Sequence, residues 1–166
     1  MAAPVPTRFM ATVGTTPSSA MALAGLPPQA LAVSPTDPSF DLLREDQEEF
    51  AWKAAQNWLP ELPLTRDSGA IGVIAGNDFV ASGFMRAAAD RGWSAGKDYG
   101  IVGFDDRPWA RAIGLTSLHP PIEEMGREAA RQLIRALAGE EIPMQVRLRS
   151  HLMPRKSSRR IPGNGQ

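Results

Sequence analysis

Two pairs of polar residues are the side chains best placed to bind a ligand. Asn77 and Asp78 follow a short apolar run at residues 70–75, and Asp105 and Asp106 follow a second run of the same kind. An asparagine amide both donates and accepts hydrogen bonds, and a carboxylate is a strong acceptor. Together these groups suit a ligand rich in hydroxyl groups, such as a sugar or another small polyol.

Within each pair the first residue is the stronger candidate for ligand contact. Asn77 or Asp78 can cap the helix that follows, and Asp106 can form a turn before Arg107 and Pro108, so a structural role is favoured for Asp78 and Asp106. We therefore predict that Asn77 and Asp105 contact a ligand. Trp109 could stack on the face of a sugar or could seal the edge of the core, and the sequence leaves both interpretations open.

Other kinds of chemistry find little support among the residue types present. The chain has no cysteine and only two histidines, His119 and His151, which excludes disulfides and thiolate sites and argues against a zinc enzyme. Gly72 and Gly76 do not form a dinucleotide or phosphate-binding motif, and Ser82 lies within a predicted helix and not on a nucleophile elbow. We expect no catalytic residue, no metal and no cofactor.

The overall composition is that of an ordinary globular domain. The 166 residues include 18 basic and 18 acidic side chains, and 43% are hydrophobic. A balanced charge creates no general attraction to nucleic acid or lipid. No apolar stretch approaches the roughly 20 residues of a membrane span, and the N-terminus lacks the pattern of a secretory signal. We expect a cytoplasmic protein with no membrane partner.

The central part of the sequence predicts an α/β fold with a parallel sheet flanked by helices. Residues 70–75 and 99–104 are apolar throughout, as strands buried on both faces require. Between them, residues 79–91 repeat apolar side chains at helical spacing, and Gly92 suits a helix C-terminus. A strand, a helix and a strand with this spacing form a βαβ unit. The carboxyl ends of the two strands, and so the two polar pairs, should meet at one edge of the sheet.

Two further helices are predicted on either side of this unit. In the helix at 44–59, Phe50, Ala54 and Trp58 should form the buried face, with two alanines beside them. A longer helix at 121–138 carries one continuous apolar stripe. The members of that stripe are Ile122, Met125, Ala129, Leu133 and Leu137.

The two ends of the chain differ from the body in composition. Residues 1–40 are rich in proline and lack periodicity, so irregular or weakly ordered structure is favoured, with a short strand near 9–13 as the alternative. The domain body is assigned to 41–155, with an edge strand at 146–149. Residues 156–166 are predicted to form a basic, flexible tail.

Five segments of the body resemble the LacI/GalR family of bacterial transcriptional regulators, in the order and nearly at the spacing of that family. They are Ile-Ala-Gly-Asn-Asp at 74–78, Gly-Phe-Met-Arg-Ala at 83–87, Ile-Val-Gly-Phe-Asp-Asp at 101–106, Leu-Thr-Ser-Leu at 115–118, and Glu-Met-Gly-Arg-Glu-Ala-Ala at 124–130. The resemblance covers residues 70–155 well.

This resemblance implies a periplasmic-binding-protein-like fold, in which two α/β lobes hold a small ligand between them. In that family the residues matching Asn77 and Asp105 contact the ligand. The implied function is the effector-sensing part of a LacI-type regulator, with a sugar or similar polar molecule as effector and no enzymatic activity. The residues themselves leave two alternatives: a transport-type sugar-binding protein, and an α/β enzyme that acts through Asp78 or Asp105.

The sequence departs from the family pattern in three ways. Residues 1–69 contain nothing like the helix-turn-helix that binds operator DNA in the family, and most of the N-terminal lobe is missing. Pro120 stands where many members carry a ligand-facing glutamine. We therefore expect a truncated regulator that binds operator DNA only in a full-length form and that can form a homodimer. Because the family's counterpart of the 121–138 helix packs in the missing lobe, we predict that this helix is the least buried of the three long ones.

Overall fold

The strands form one five-stranded sheet in which their order across the sheet is their order along the chain. The computed structural model describes residues 8–11, 47–61 and 71–159. The strands are β1 (Arg8–Ala11), β2 (Ile71–Ile74), β3 (Gly100–Phe104), β4 (Thr116–His119) and β5 (His151–Met153). Strands β1 to β4 run parallel, and β5 pairs antiparallel with β4. The predicted α/β fold is confirmed, with one antiparallel edge strand that the prediction of a parallel sheet did not include.

Four helices connect the strands. They are α1 (Gln47–Trp58), α2 (Asp78–Ala89), α3 (Pro108–Ala112) and α4 (Ile122–Leu137), with 3₁₀ turns at Leu59–Glu61 and Lys156–Ser158. The predicted β2–α2–β3 unit is confirmed to within two residues at each boundary. The short helix α3 was not predicted, although Pro108 at its first turn is a typical start signal. No helix in the described parts of the chain is long and apolar enough to span a bilayer.

The core lies between the sheet and the helices α1 and α2. Ile101 and Leu115 are fully buried, and Phe84 packs edge-on against Tyr99 with the ring centroids 5.5 Å apart. Leu59 extends the same cluster beyond the end of α1. The side chains that the parallel strands direct inward therefore meet one layer of helices.

The buried face of α1 differs from the predicted one. Ala51 and Ala55 are buried, whereas Phe50 and Ala54 are only half-buried, and the Trp58 side chain lies outside what the structure describes. The reason is the close approach of α1 to Gly83 of α2, where an added Cβ would lie 2.7 Å from the Ala51 Cβ. Only small side chains fit at this crossing, so the alanines face the neighbouring helix and the larger side chains lie at its margin.

Helix α2 begins at one of its two predicted caps, Asn77, and ends at the predicted glycine turn. Asn77 is its N-cap, because the Asn77 Oδ1 accepts a hydrogen bond of 2.9 Å from the Val80 amide. Gly92 has a φ of 78°, and the Trp93 amide donates to the Ala88 carbonyl at 3.0 Å. Trp93 thereby folds back and packs against the core.

The last strand lies at later residues in the chain than predicted, and the segment after it is also held against the sheet. The edge strand is His151–Met153, and residues 146–149 form no strand. The Ser157 hydroxyl donates to the Ile101 carbonyl at 2.7 Å and accepts from the Thr116 amide at 2.8 Å. These bonds hold residues 156–158 against β3 and β4, so the predicted flexible tail does not begin at 156. Residues 160–166 lie outside the described residues.

The N-terminal segment is described only at Arg8–Ala11. These four residues pair in parallel with β2, so here the alternative of a strand that joins the body is the correct one. The rest of the segment 1–40 lies outside the described residues.

Helix α4 has no buried residue. Its apolar stripe is exposed, with Leu133 at 61% and Leu137 at 80% of full exposure. By contrast, α2 buries seven residues and α1 buries Ala51 and Ala55. The prediction that this is the least buried of the three long helices is confirmed for the described residues.

Candidate functional site

The two predicted polar pairs lie at the same edge of the sheet. β2 and β3 are parallel neighbours, with Val73 opposite Ile101. Asn77 follows β2 at the start of α2, and Asp105 directly follows the last residue of β3. The carboxyl ends of adjacent parallel strands are where ligands bind in open α/β sheets. The backbone thus brings both sequence-predicted residues to the edge at which a ligand site is expected.

Both polar atoms of the Asn77 side chain are engaged within the protein. Its Oδ1 caps α2, and its Nδ2 donates to the Gln47 Oε1 at 2.7 Å. An amide has two donor hydrogens and two acceptor lone pairs, so one of each is left for a ligand. The contact with Gln47 also links the first residue of α1 to this edge. Ligand contact by Asn77 remains a prediction.

Asp105 has the chemistry of a ligand-binding residue at the end of β3. Its side chain is about one-third exposed, and its φ of 102° lies in the left-handed region. Burial raises the pKa of the Asp105 carboxyl, the Arg107 guanidinium opposes that rise, and Asp78 adds to it. The Arg107 Nε lies 3.8 Å from the Asp105 Oδ2. A partly buried acid with an exposed portion can accept hydrogen bonds from the hydroxyl groups of a ligand.

Asp78 is fully buried and does not cap α2, contrary to the role favoured from the sequence. Its Oδ2 accepts a hydrogen bond of 2.7 Å from the Arg107 amide. Its Oδ1 accepts a hydrogen bond of 2.6 Å from the Ser117 hydroxyl. Because Asn77 already caps the helix, Asp78 is free to turn inward. A residue with no exposed surface and both oxygens occupied is poorly placed for the acid–base role that the enzyme alternative assigned to it.

Asp106 joins three parts of the chain. Its Oδ1 accepts from the Arg155 guanidinium at 2.5 Å, and its Oδ2 lies 3.1 Å from the His119 Nδ1. Its own amide donates to the Ser117 hydroxyl at 3.0 Å, and its φ is 51°. The structural role favoured for Asp106 is confirmed, and it is more extensive than the predicted turn.

Trp109 lies in α3 and packs against the margin of the core. Its ring centroid is 5.3 Å from that of Phe79, at a tilt of 49°, and the Arg107 guanidinium lies over the Phe79 ring. Of the two interpretations that the sequence left open for Trp109, these contacts favour a ring that seals the edge of the core. Its half-buried position leaves part of the indole accessible, and stacking on a ligand remains a prediction.

Within residues 8–11, 47–61 and 71–159, no three His, Cys, Asp or Glu side chains are grouped so that they could hold a metal ion. His119 and His151 face each other across β4 and β5, and His119 bonds to Asp106. The candidate site is therefore assembled from carboxyl, amide and aromatic groups.

Sequence reasoning missed the residues that hold this edge together. Ser117, Arg155 and Ser157 were not identified, and each bonds to a segment more than 35 residues away in the chain. The available signal was weak. Ser117 is a hydroxyl residue in the short strand Thr116–His119, and Arg155 and Ser157 are polar residues two positions apart just after the last strand. The structural role of such residues can be recognised only when their distant hydrogen-bond partners are known.

Comparisons with known proteins agree with the fold and with the motifs. A family model described as a periplasmic binding protein-like domain matches residues 8–158. The HTH-type transcriptional regulator CelR of Thermobifida fusca is 34% identical over 112 residues, which are 66% of this chain and 33% of that protein. This chain thus spans about a third of the length of that relative.

Two solved structures show the same architecture. A LacI-family regulatory protein from Chloroflexus aggregans has a TM-score of 0.64 and 27% identity, covering 93% of this chain and 55% of that one. A LacI-family transcriptional regulator from Arthrobacter sp. FB24, solved in complex with lactose, has a TM-score of 0.67 and 21% identity, covering 93% and 57%. The chain belongs to the periplasmic-binding-protein-like family, and its resemblance to the LacI/GalR regulators is confirmed.

Proposed function

We propose that this chain is the effector-sensing part of a LacI-type transcriptional regulator and that its effector is a sugar or a similar small polar molecule. The observation that carries the proposal is the Asp105 carboxyl group, held at the carboxyl end of β3 with part of its surface exposed. Asn77 at the end of the neighbouring strand and Trp109 beside the same turn complete the candidate ligand contacts. The relatives support this function because those named above are regulators.

Three partners follow from the proposal. The first is the small-molecule effector. The second is operator DNA, bound by a form of the regulator that carries a helix-turn-helix. The third is a second copy of the chain in a homodimer, for which the exposed apolar stripe of α4 is the available surface. We propose a cytoplasmic location and no enzymatic activity, since the relatives named above are described as regulators.

Calorimetric titration of the purified chain with a panel of sugars that includes lactose and ribose tests the proposal. We expect at least one sugar to bind and Asp105→Ala to weaken that binding by about 1.5–3 kcal/mol, the range for a hydrogen bond to a charged group. Asp98→Ala is the matched control, because Asp98 precedes β3 at the opposite edge of the sheet. Equal losses in both variants, or no binding across the panel, would overturn the proposal.

The enzyme alternative has its own test. Turnover of sugar phosphates by the purified chain, abolished in Asp105→Asn, would favour it over effector sensing. The transport alternative predicts sugar binding together with a location outside the cytoplasm, which cell fractionation of the native protein decides.

A further inference from the structure

We propose that Asp78 is a positioning residue for the candidate effector site, which it serves without touching the ligand. Its buried carboxyl group holds the turn at residues 105–107 in the conformation that keeps Asp105 at the exposed edge of the sheet. This inference rests on the proposed function and gives Asp78 a role in the site in place of the helix cap that the sequence favoured.

The hydrogen bonds of Asp78 fix both amides that follow Asp105. The Asp78 Oδ2 accepts directly from the Arg107 amide at 2.7 Å. The Asp78 Oδ1 accepts from the Ser117 hydroxyl at 2.6 Å, and the Ser117 oxygen accepts from the Asp106 amide at 3.0 Å. One side chain from the start of α2 therefore determines the path of the backbone after β3, directly at one residue and through a hydroxyl at the other.

The turn needs such support because its backbone conformation is unfavourable. Asp105 and Asp106 have φ values of 102° and 51°, and they are the two non-glycine residues with positive φ in the described part of the chain. Side chains other than glycine persist in this region only where surrounding structure holds them. Without the bonds to Asp78, we expect the turn to relax towards negative φ and to move the Asp105 carboxyl group.

The surroundings of Asp78 are shaped to admit its carboxyl group. Gly103 lies beside it in β3, and a Cβ at that position would collide with the Asp78 Oδ1 and approach Leu115 to 3.2 Å. Asp78 has no exposed surface, so its hydrogen bonds do not compete with water and the residue cannot reach a ligand at the edge. Burial and the room left by Gly103 together indicate a support for the turn and not a contact for the ligand.

The first test requires no ligand. Amide hydrogen exchange and the φ-dependent couplings of Asp105 and Asp106 are measured by nuclear magnetic resonance in Asp78→Ala, which removes both acceptor oxygens, and in Ser117→Ala. We expect the Arg107 amide in the first variant, and the Asp106 amide in the second, to exchange at least about tenfold faster, as follows from loss of an ordered hydrogen bond. The Ile101 amide, in the middle of β3, should change little. Ser117→Thr retains the hydroxyl and should restore the slow exchange.

Two outcomes of this first test would overturn the inference. One is unchanged exchange and couplings at residues 105–107 in both variants. The other is a uniform rise in exchange across the sheet, which would mean that Asp78 only stabilises the fold. Ile101→Val, a conservative change in the buried core, provides the reference for such a uniform effect. If Asp78→Ala does not fold, Ser117→Ala and its threonine rescue decide the question alone.

The second test asks whether Asp78 acts through Asp105. The affinity for lactose, or for the sugar of the panel that the wild type binds, is measured in the wild type, Asp78→Ala, Asp105→Asn and the double variant. We expect Asp78→Ala to weaken binding about tenfold in the wild-type background and to have no effect when Asp105 is already replaced. Equal losses in both backgrounds would overturn the inference. If the wild type binds no sugar of the panel, the proposed function fails, and the exchange measurements still decide the role of Asp78.

Discussion

The Arg155 guanidinium donates a hydrogen bond of 2.5 Å to the Asp106 carboxylate, although the two residues are 49 positions apart in the chain. The same guanidinium donates to the Leu115 carbonyl at 2.7 Å. Both side chains are largely removed from solvent, with 16% and 12% of their surfaces exposed. The segment that follows β5 is thereby fastened to the turn that follows β3.

Replacing Arg155 should destabilise the fold measurably. We expect Arg155→Ala to lower the free energy of unfolding by roughly 1.5–3 kcal/mol, because it removes a charge-assisted hydrogen bond and leaves Asp106 poorly compensated. Arg155→Lys keeps the charge but loses the planar guanidinium that bonds to Asp106 and to the Leu115 carbonyl at once. An intermediate decrease in the free energy of unfolding is therefore expected. Urea denaturation gives the values, with the exposed neighbour Lys156→Ala as control. Similar losses at Lys156 and Arg155 would contradict a specific role for this ion pair.

The raised pKa of Asp105 predicts how its removal changes the dependence of stability on pH. A carboxyl whose pKa is higher in the folded than in the unfolded state stabilises the fold fully below its ordinary value of 3.8, and that contribution is lost as the pH rises through the raised pKa. Asp105→Asn should therefore be more stable than the wild type at neutral pH. The difference should disappear in acid. Denaturation curves across this range measure it, and a difference that grows as the pH falls would contradict the prediction.

The exposed stripe of α4 predicts self-association. Leu133→Lys should reduce the concentration-dependent sedimentation of the chain while changing the free energy of unfolding by no more than about 0.5 kcal/mol, since the residue is exposed. Glu124→Gln makes the same change in charge on the opposite side of the helix and is the matched control. If the wild-type chain sediments as a monomer at all concentrations, this surface does not bind a second copy.

A pair of glycine substitutions tests the packing of α1 on α2. Gly83→Ala should destabilise the protein by about 1–3 kcal/mol, because the added methyl group would overlap the backbone of α1 near Ala51 and Trp52. Gly126→Ala in α4 should instead stabilise it by roughly 0.5–1 kcal/mol, because a Cβ there meets nothing within 4 Å. Thermal unfolding of both variants tests whether the two substitutions change the stability in opposite directions. Equal effects would show that helix propensity, and not the helix crossing, controls both positions.

The purified 166-residue chain should not bind operator DNA specifically, and any binding to DNA should come from its basic C-terminal region. The C-terminal region supplies basic residues such as Arg147, Arg149 and Arg159, while Arg155 is already paired with Asp106. Binding through phosphates alone falls steeply with salt and does not distinguish sequences. Fluorescence anisotropy with operator-like and random duplexes measures both properties. A preference for one duplex that persists at physiological salt would contradict this expectation.

The parts of the fold with local signals could be predicted closely. Residues 71–74 and 100–104 are apolar runs bounded by polar pairs, and α2 carries its own cap, stripe and terminal glycine. The boundaries of these elements were predicted to within two residues. The apolar stripe of α4 was also evident from its spacing, and its exposure followed from the resemblance to the LacI/GalR regulators.

The parts set by distant contacts could not be predicted. The buried face of α1 depends on Gly83, which is more than 30 residues away, and helical spacing alone does not say which face meets a glycine. The position of β5 depends on the bonds of Ser157 to Ile101 and Thr116. The burial of Asp78 likewise depends on Ser117 and on the space beside Gly103. In each case the deciding partner lies outside any window that a local pattern covers.

The order of the strands across the sheet bears on how the chain assembles during synthesis. Because each strand from β2 to β5 is added beside the one made before it, a nascent chain can extend the sheet on one side as it leaves the ribosome. Until the last strand emerges, that growing side presents unpaired backbone groups that another strand could capture. The antiparallel strand β5 and the Ser157 hydroxyl then pair the backbone groups of β4, and the edge that remains is a strand of only three residues. A ribosome that stalls before residue 151 would therefore hold a sheet in which one edge of β4 is unpaired and can bind a strand of another chain.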